Sequence, residues 1–316
     1  MIEADGSSAT GPLVSVVMPI YNRAHLVTRA LGSVLAQTYQ RFEVVIVDDA
    51  STDGLVSALR EFPPSRLRVV RHSRNRGAAA ARNTGVAAAA GEFIALLDSD
   101  DTWFPEKLAH QVAAMRDQPR DVAGHVCGYE CVKTGYAARQ IIPQWTASSF
   151  RRSQLFGCTC GPGTTLLCRR EIFDDIGSFD ENLRRLEDWD WILRLAEKGY
   201  HLLGSPAVLA RVEVGTSASR RHVDAALQSI RDRHYPTIVR EGATARRIFE
   251  ATIYLESAAA AFGERDYACA SIAALRSLAR YPLRDGGFYW RLLQRVANPV
   301  RPSRGLRPTT LSPTGR

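Results

Sequence analysis

Phe93-Ile94-Ala95-Leu96-Leu97-Asp98-Ser99-Asp100-Asp101 is the stretch on which the reading of this chain turns. Five apolar residues in a row read as a buried strand, and acids follow it directly. With a side-chain period of two, Asp98 and Asp100 leave the sheet on the same side. Two hard oxygen donors at the carboxyl end of an α/β strand can hold a divalent cation against a phosphorylated ligand. The same Asp-Ser-Asp also suits the start of a helix opened by Pro105, so this stretch alone leaves both readings open.

Working outward, residues 14–20 form a short β-rich run, and Pro19 is expected to put its end in an exposed, irregular position. Residues 24–37 carry helical spacing at Leu26, Ala30, Leu31, Val34 and Leu35. A second buried strand, 42–47, ends in Asp48-Asp49. Ser51-Thr52-Asp53-Gly54 then supplies turn and N-cap chemistry ahead of a helix running through Leu59. Residues 67–70 give a third strand, and the alanine-rich 77–90 a helix lying close to the sheet and stopped by Gly91. Strand and helix alternate four times, which predicts an α/β fold with a parallel sheet covered on both faces. Ligands of such sheets bind beyond the carboxyl ends of the strands. Tyr21 and Asn22, Asp48, Asp49 and Ser51, and Asp98 to Asp101 all fall on that one rim.

Beyond the fourth strand the pattern predicts irregular strands near 122–132 and 162–169, then a helix over 188–198 with Gly199 as its C-cap. Past residue 216 the chain becomes rich in arginine and alanine and reads as helices alone. Residues 245–282 resemble one tetratricopeptide-like helical hairpin around Gly263. Residues 1–12 and 299–316, the latter with four prolines, are expected to be disordered.

At 316 residues, 45% hydrophobic and 23% charged, the chain is an ordinary globular protein. No stretch approaches 18 apolar residues, and 1–12 lacks the basic start and apolar core of a signal peptide. A cytoplasmic protein with reduced thiols is therefore expected. Cys127, Cys131, Cys158, Cys160 and Cys168, with His125, lack the paired Cys-x2-Cys spacing of a zinc site. A net charge of +8 suits an anionic partner of some kind, whether lipid, nucleic acid or phosphorylated substrate. Neither Gly-x4-Gly-Lys-Ser/Thr nor Gly-x-Gly-x-x-Gly follows the first strand, which argues against a P-loop ATPase and a dinucleotide dehydrogenase.

Five stretches in order resemble the motifs of family-2 inverting glycosyltransferases with the GT-A fold, across roughly residues 13–215. They are Val14-Ser-Val-Val-Met-Pro-Ile-Tyr-Asn22, Val47-Asp-Asp-Ala-Ser-Thr-Asp-Gly54, Asn75-Arg-Gly-Ala-Ala-Ala-Ala-Arg-Asn83, Leu96-Leu-Asp-Ser-Asp-Asp101 and Glu187-Asp188. The resemblance implies a GT-A domain, a mostly parallel sheet flanked by helices, with residues 216–298 as a helical appendage. It implies a nucleotide-sugar donor, with Pro19, Tyr21, Asn22, Asp48, Asp49 and Ser51 around base and ribose. Arg82 would lie near the pyrophosphate with Asn83 in support, and Asp98 and Ser99 at the ribose. Mn²⁺ or Mg²⁺ would sit on Asp100, with Asp98 near it and Asp101 in reserve. Asp188 would be the general base, with Glu187 as the alternative. Against each stands a structural reading: Asp48 and Asp49 as caps, Arg82 as a solvated arginine, Glu187 and Asp188 as acids favoured at a helix start.

One departure concerns Arg211-Val212-Glu213, where many family members have Arg-Val-His; a carboxylate there is expected to repel diphosphate. The Gln-x-x-Arg-Trp motif of processive members is missing, so the resemblance implies addition of one sugar, most often from a UDP carrier, to a saccharide, lipid-linked or glycoconjugate acceptor of the cell envelope. The basic, aromatic 284–298 is a candidate for peripheral contact with the inner membrane face, and a second copy of the chain a candidate partner. Competing readings are a sugar-nucleotide nucleotidyltransferase, a scaffold that binds nucleotide sugar without transferring it, and a nucleic-acid binder. The acidic rim argues against the last.

Overall fold

The computed structural model describes residues 11–282 other than 134, 136, 162 and 214–218. The expected disordered ends and the candidate membrane segment therefore lie largely outside the described residues.

The amino-terminal half alternates as expected: β1 (Val14–Ile20), α1 (Ala24–Leu35), β2 (Phe42–Asp48), α2 (Leu55–Leu59), β3 (Leu67–Arg71), α3 (Ala78–Ala88) and β4 (Phe93–Leu96). β1 pairs in parallel with β2 on one side and β4 on the other, and β2 pairs in parallel with β3. Chain order thus reverses between β1 and β4, the position at which open α/β sheets leave a crevice for ligands. Pro19 is not at an exposed end: it is half-buried and lies opposite Val47 of β2. Val17 O accepts from Leu97 N and Ile20 O from Asp49 N. Alternate residues point opposite ways, so Pro19 faces the side of β4, whose ladder has already ended at Val17.

α3 lies close to β1 because its residues are small. A Cβ built on Gly85 would come within 2.3 Å of Val17 Cγ1. Gly91 does not stop this helix, which ends at Ala88; Gly91 instead packs against the backbone of Leu13 and Ser15.

The rest of the sheet is mixed. After β5 (Thr102–Trp103) and α4 (Lys107–Met115) come β6 (Val122–Val132), β7 (Arg139–Ile141), α5 (Phe150–Gln154), β8 (Leu166–Arg169), α6 (Glu171–Ile176), α7 (Glu187–Glu197) and β9 (His201–Glu213). Among the described residues nine strands make one sheet in the order β3-β2-β1-β4-β8-β6-β9-β5, with β7 on β6. β8 runs antiparallel to both β4 and β6, whereas β9 runs parallel to β6. Gly199 takes φ +89 just past α7, as its C-cap role requires.

Among the described residues three helices follow: α8 (Arg220–Arg240), α9 (Ala243–Gly263) and α10 (Tyr267–Arg280). α9 and α10 form the expected hairpin, but the left-handed turn residue is Arg265 (φ +65), two positions past Gly263. These helices share a core with the sheet domain. Trp189 and Leu193 of α7 pack with Leu155, Val223, Leu227, Ile230, Ile248 and Phe249. The neighbouring Trp191 faces the other way, into the sheet core, stacked on Phe173 at 4.8 Å between centroids. Among the described residues no helix is long and apolar enough to cross a membrane, and all six cysteines are free thiols.

Candidate active site

A cleft of about 360 Å³ opens at the reversal between β1 and β4. Pro19, Tyr21 and Arg23 line one side; Asp98, Ser99 and Asp100 the floor; Asn75, Gly77 and Arg82 the α3 side; Arg184, Arg185 and Glu187 the far lip. A larger concavity, about 950 Å³, flanks the amino ends of β1 and β4 near Gly11, Pro12 and Phe93. That is the wrong end of a parallel sheet for a ligand. Chemistry-bearing residues gather in the smaller cleft.

Arg82 is the hub. It projects from α3, is 6% exposed, and sends Nη2 to Asp98 Oδ1 at 2.7 Å and Nη1 to Glu187 Oε1 at 2.5 Å. Burial opposes its charge, but Asp98 and Glu187 more than offset this and hold its pKa above the usual arginine range. One guanidinium thereby links the end of β4 to the head of α7, whose Glu187 is 105 residues from Arg82 in sequence. A solvated arginine, the alternative weighed above, is ruled out.

Asp188 follows Glu187 and is half-buried, with Oδ1 accepting from the Trp189 N–H at 2.8 Å. Burial, and then the negative charge of Glu187, push its carboxyl up to about 6, with Arg82 opposing. A carboxylate so poised can accept a proton near neutral pH.

Asp100 ion-pairs with Arg23 through Oδ2, and Asp98 with Arg82 through Oδ1. Their side chains are 22% and 30% exposed to the cleft. Among the described residues no three His, Cys, Asp or Glu side chains converge as a ready-made metal cage. Two carboxylates at a water-accessible rim nonetheless fit Mg²⁺ or Mn²⁺, which take one or two such ligands and complete their shell with water and phosphate oxygens. Asp101 does not fit that role. It is 3% exposed, and its oxygens are taken by the Thr164 hydroxyl and, at 2.9 Å, the Glu213 N–H. Burial, then Asp98, push its carboxyl up to about 8. It is a brace between strand ends.

Several other expected contacts turn out to hold loops. Asp48 is buried, accepting from Ser51 N and Arg71 Nη1, each at 2.7 Å, and does not line the cleft. Ser51 Oγ accepts from Asn22 N, while Asn22 Oδ1 accepts from Thr52 N, stapling the loops after β1 and β2 together. Asn22 sits at φ +52, where asparagine is tolerated. Asp53 accepts from Ala24 N at 2.7 Å, so it caps α1 and not the helix that follows it. Asn83 turns from the cleft, exchanging hydrogen bonds with the backbone of Phe179 at 2.9 Å. Asp49 does line the cleft, but it already receives Arg76 N, Gly77 N and His72 Nδ1 at 2.7–2.8 Å, organising the loop before α3.

Glu213 lies at the end of β9 within 3.3 Å of Arg29 Nη1, and Arg29 Nη2 donates to the Asp100 carbonyl at 2.6 Å. Its charge is therefore partly met, which softens the expected repulsion of diphosphate. Not foreseen were Arg23, Arg184 and Arg185. Arg23 follows the Tyr21-Asn22 motif directly and was legible in principle. Arg184 and Arg185 have no carboxylate partner among the described residues, and Arg184 Nη1 lies 2.6 Å from where a Gly77 Cβ would stand.

The profile of the family described as "Glycosyl transferase family 2" matches residues 15–177, over half of the chain. The chain belongs to glycosyl transferase family 2. Among its curated relatives, the Escherichia coli protein named UDP-Glc:alpha-D-GlcNAc-diphosphoundecaprenol beta-1,3-glucosyltransferase WfgD is 44% identical over 103 residues, covering 33% of this chain and 41% of that one. The putative teichuronic acid biosynthesis glycosyltransferase TuaG of Bacillus subtilis is 33% identical over 205 residues, covering 63% of this chain and 78% of TuaG. The chain spans only part of several relatives: 57% of a Rickettsia prowazekii glycosyltransferase and 28% of one from Rickettsia bellii. Solved structures that share the fold include two with nucleotide sugars in their descriptions. A Pyrobaculum calidifontis mannosyltransferase, described in complex with GDP-Man and Mn2+, superposes with TM-score 0.55 at 24% identity, covering 92% of this chain and 81% of its own. TarS of S. aureus, in complex with UDP-GlcNAc, gives 0.55 at 20%, covering 88% and 92%. The GT-A expectation is met, and family membership sets the nucleotidyltransferase and nucleic-acid readings aside.

Proposed function

We propose that this family-2 protein moves one sugar from a nucleotide-diphosphate donor to an acceptor hydroxyl, with inversion and without a covalent intermediate, in the assembly of a cell-envelope polysaccharide or glycoconjugate. The observation that carries it is the double ion pair of Arg82, which gathers Asp98 of the β4 rim and Glu187, the neighbour of Asp188, at one cleft.

In this reading Pro19, Tyr21 and the loop organised by Asp49 receive the base. Asp98 and Ser99 face the ribose, and Arg184 and Arg185 supply positive charge for the diphosphate. Asp100 and Asp98 would hold a divalent cation, which supplies Lewis-acid neutralisation of the leaving diphosphate. Asp188 takes the acceptor's hydroxyl proton as that oxygen bonds the anomeric carbon and the bond to diphosphate breaks on the opposite face. Arg82 fixes Glu187 in place beside Asp188, while its positive charge draws the Asp188 carboxyl down against the push of burial and of Glu187. The names of WfgD and TarS favour a UDP donor, and that of WfgD a lipid-diphosphate-linked acceptor.

The test is thermal shift with UDP, GDP and dTDP, with and without Mn²⁺. A true ligand at about 100 times its Kd stabilises by about 2.7 kcal/mol. UDP should raise Tm only with metal, and Asp100→Ala should abolish the metal-dependent part. No shift with any nucleotide would sink the reading.

A further inference from the structure

The segment from Asp180 to Asp190 passes along the cleft, placing Arg184, Arg185 and Glu187 in its lining and Asp188 beside them. Its conformation is not self-supporting: Leu186, a branched non-glycine residue, takes φ +61 immediately before α7. Both ends of the segment are gripped from α8, outside the sheet domain. Arg233 sends Nη2 to Asp180 Oδ2 and Nη1 to Asp190 Oδ1, each at 2.6 Å. A planar guanidinium fork fixes two carboxylates relative to one another in a way a single ammonium does not.

Asp190 is 1% exposed and receives two further donors: Arg194 Nε at 3.0 Å, and His234 Nε2 at 3.1 Å. His234 is wholly buried and passes Nδ1 to Glu197 Oε1 at 3.0 Å, so the grip continues down α7. Arg194 also donates to the carbonyls of Ile176, Gly177 and Ser178, steadying the approach to the segment. Resting on the reading of Asp188 as the base, we propose that Arg233 is a positioning residue for sugar transfer, fixing the cleft-lining segment and hence the place of Asp188 against Arg82. The helical region is then a working part of the transfer site, although none of its described residues lines the cleft.

Arg220, also on α8, makes the matched control. It forks in the same manner between Asp224 and Asp266, at 3.1 and 2.7 Å, but touches nothing in 180–190. The experiment uses the full chain as wild type, Arg233→Ala, Arg233→Lys and Arg220→Ala. It measures kcat with UDP-sugar donors, the Kd for UDP with Mn²⁺, and amide hydrogen exchange over 180–189. Misplacing a reacting group by about 1 Å costs up to about 100-fold, so Arg233→Ala should lower kcat by about 10- to 100-fold. UDP affinity should stay within about threefold, exchange over 180–189 should quicken, and added guanidinium ion should restore part of kcat. Arg233→Lys should fall between, and Arg220→Ala should keep wild-type kcat. Wild-type kcat in Arg233→Ala overturns the proposal, as does an equal loss in Arg220→Ala, or a loss that neither guanidinium nor lysine relieves. A wild-type chain inert toward every donor instead overturns the transfer reading, and hydrogen exchange then still decides whether Arg233 holds the segment.

Discussion

Asp188 carries two opposed demands. Burial and the nearby Glu187 raise its carboxyl to about 6, so the folded chain holds that proton more tightly than the unfolded chain, whose value is 3.8. The carboxyl therefore costs stability as pH climbs from about 4 through about 6, and the cost is constant above that. Transfer, which needs the ionised form, should rise over the same lower window and level off above about pH 7, a profile read from kcat against pH. Asp188→Asn removes the charge and keeps the shape. Its melting temperature should rise above about pH 6, because no buried carboxyl then has to ionise, while kcat falls at least about 100-fold. A variant that melts lower, or that turns over normally, would deny Asp188 this role. Of the residues that motif order singled out, Arg82, Asp98, Asp100 and Glu187 line one cleft, and Asp188 adjoins it through Glu187. Asp48, Ser51, Asn22, Asn83 and Asp101 spend polar atoms on loops and strand ends, which motif order could not show, because a motif gives a residue's position and not the direction of its polar atoms. Backbone N–H groups at loop turns captured those side chains first.

Among the elements, α3 makes the most specific demand. A glycine inside a helix ordinarily weakens it, and replacement by alanine helps by about 1 kcal/mol. At Gly85 the sign should reverse, since the added methyl would meet Val17 at 2.3 Å and Val47 at 3.3 Å. Gly85→Ala should destabilise by about 1–3 kcal/mol in a urea melt, and the slack between α3 and β1 would have to be larger than described if it stabilised. The alternation of strand and helix through β4 was legible because buried parallel strands are short apolar runs set between helices of clear period. β9 was not. Gly204 and Pro206 interrupt it, its pairing with β6 shifts register between Val126 and Gly128, and no simple period survives such irregularity.

At the scale of the whole molecule, the helices beyond the boundary expected near residue 215 are packed against the sheet domain through a common apolar core. Leu183, Trp189 and Leu193 on one side of it share a core with Val223, Ile230 and Phe249 on the other. A chain cut at 215 should expose that apolar surface, partition into the pellet and bind a hydrophobic dye. A soluble, cooperatively melting fragment 1–215 would show that the sheet domain stands alone. Nothing local could have signalled this union, for Arg233 and His234 meet Asp190 across more than 40 positions of chain. α7 lies at the junction, with Trp189 seated toward the helices and Trp191 toward the sheet. Two indole sockets facing apart leave the rod no freedom to roll about its long axis. The acid pair at its head thus inherits an angular setting fixed by its most bulky apolar neighbours, a turn or less away.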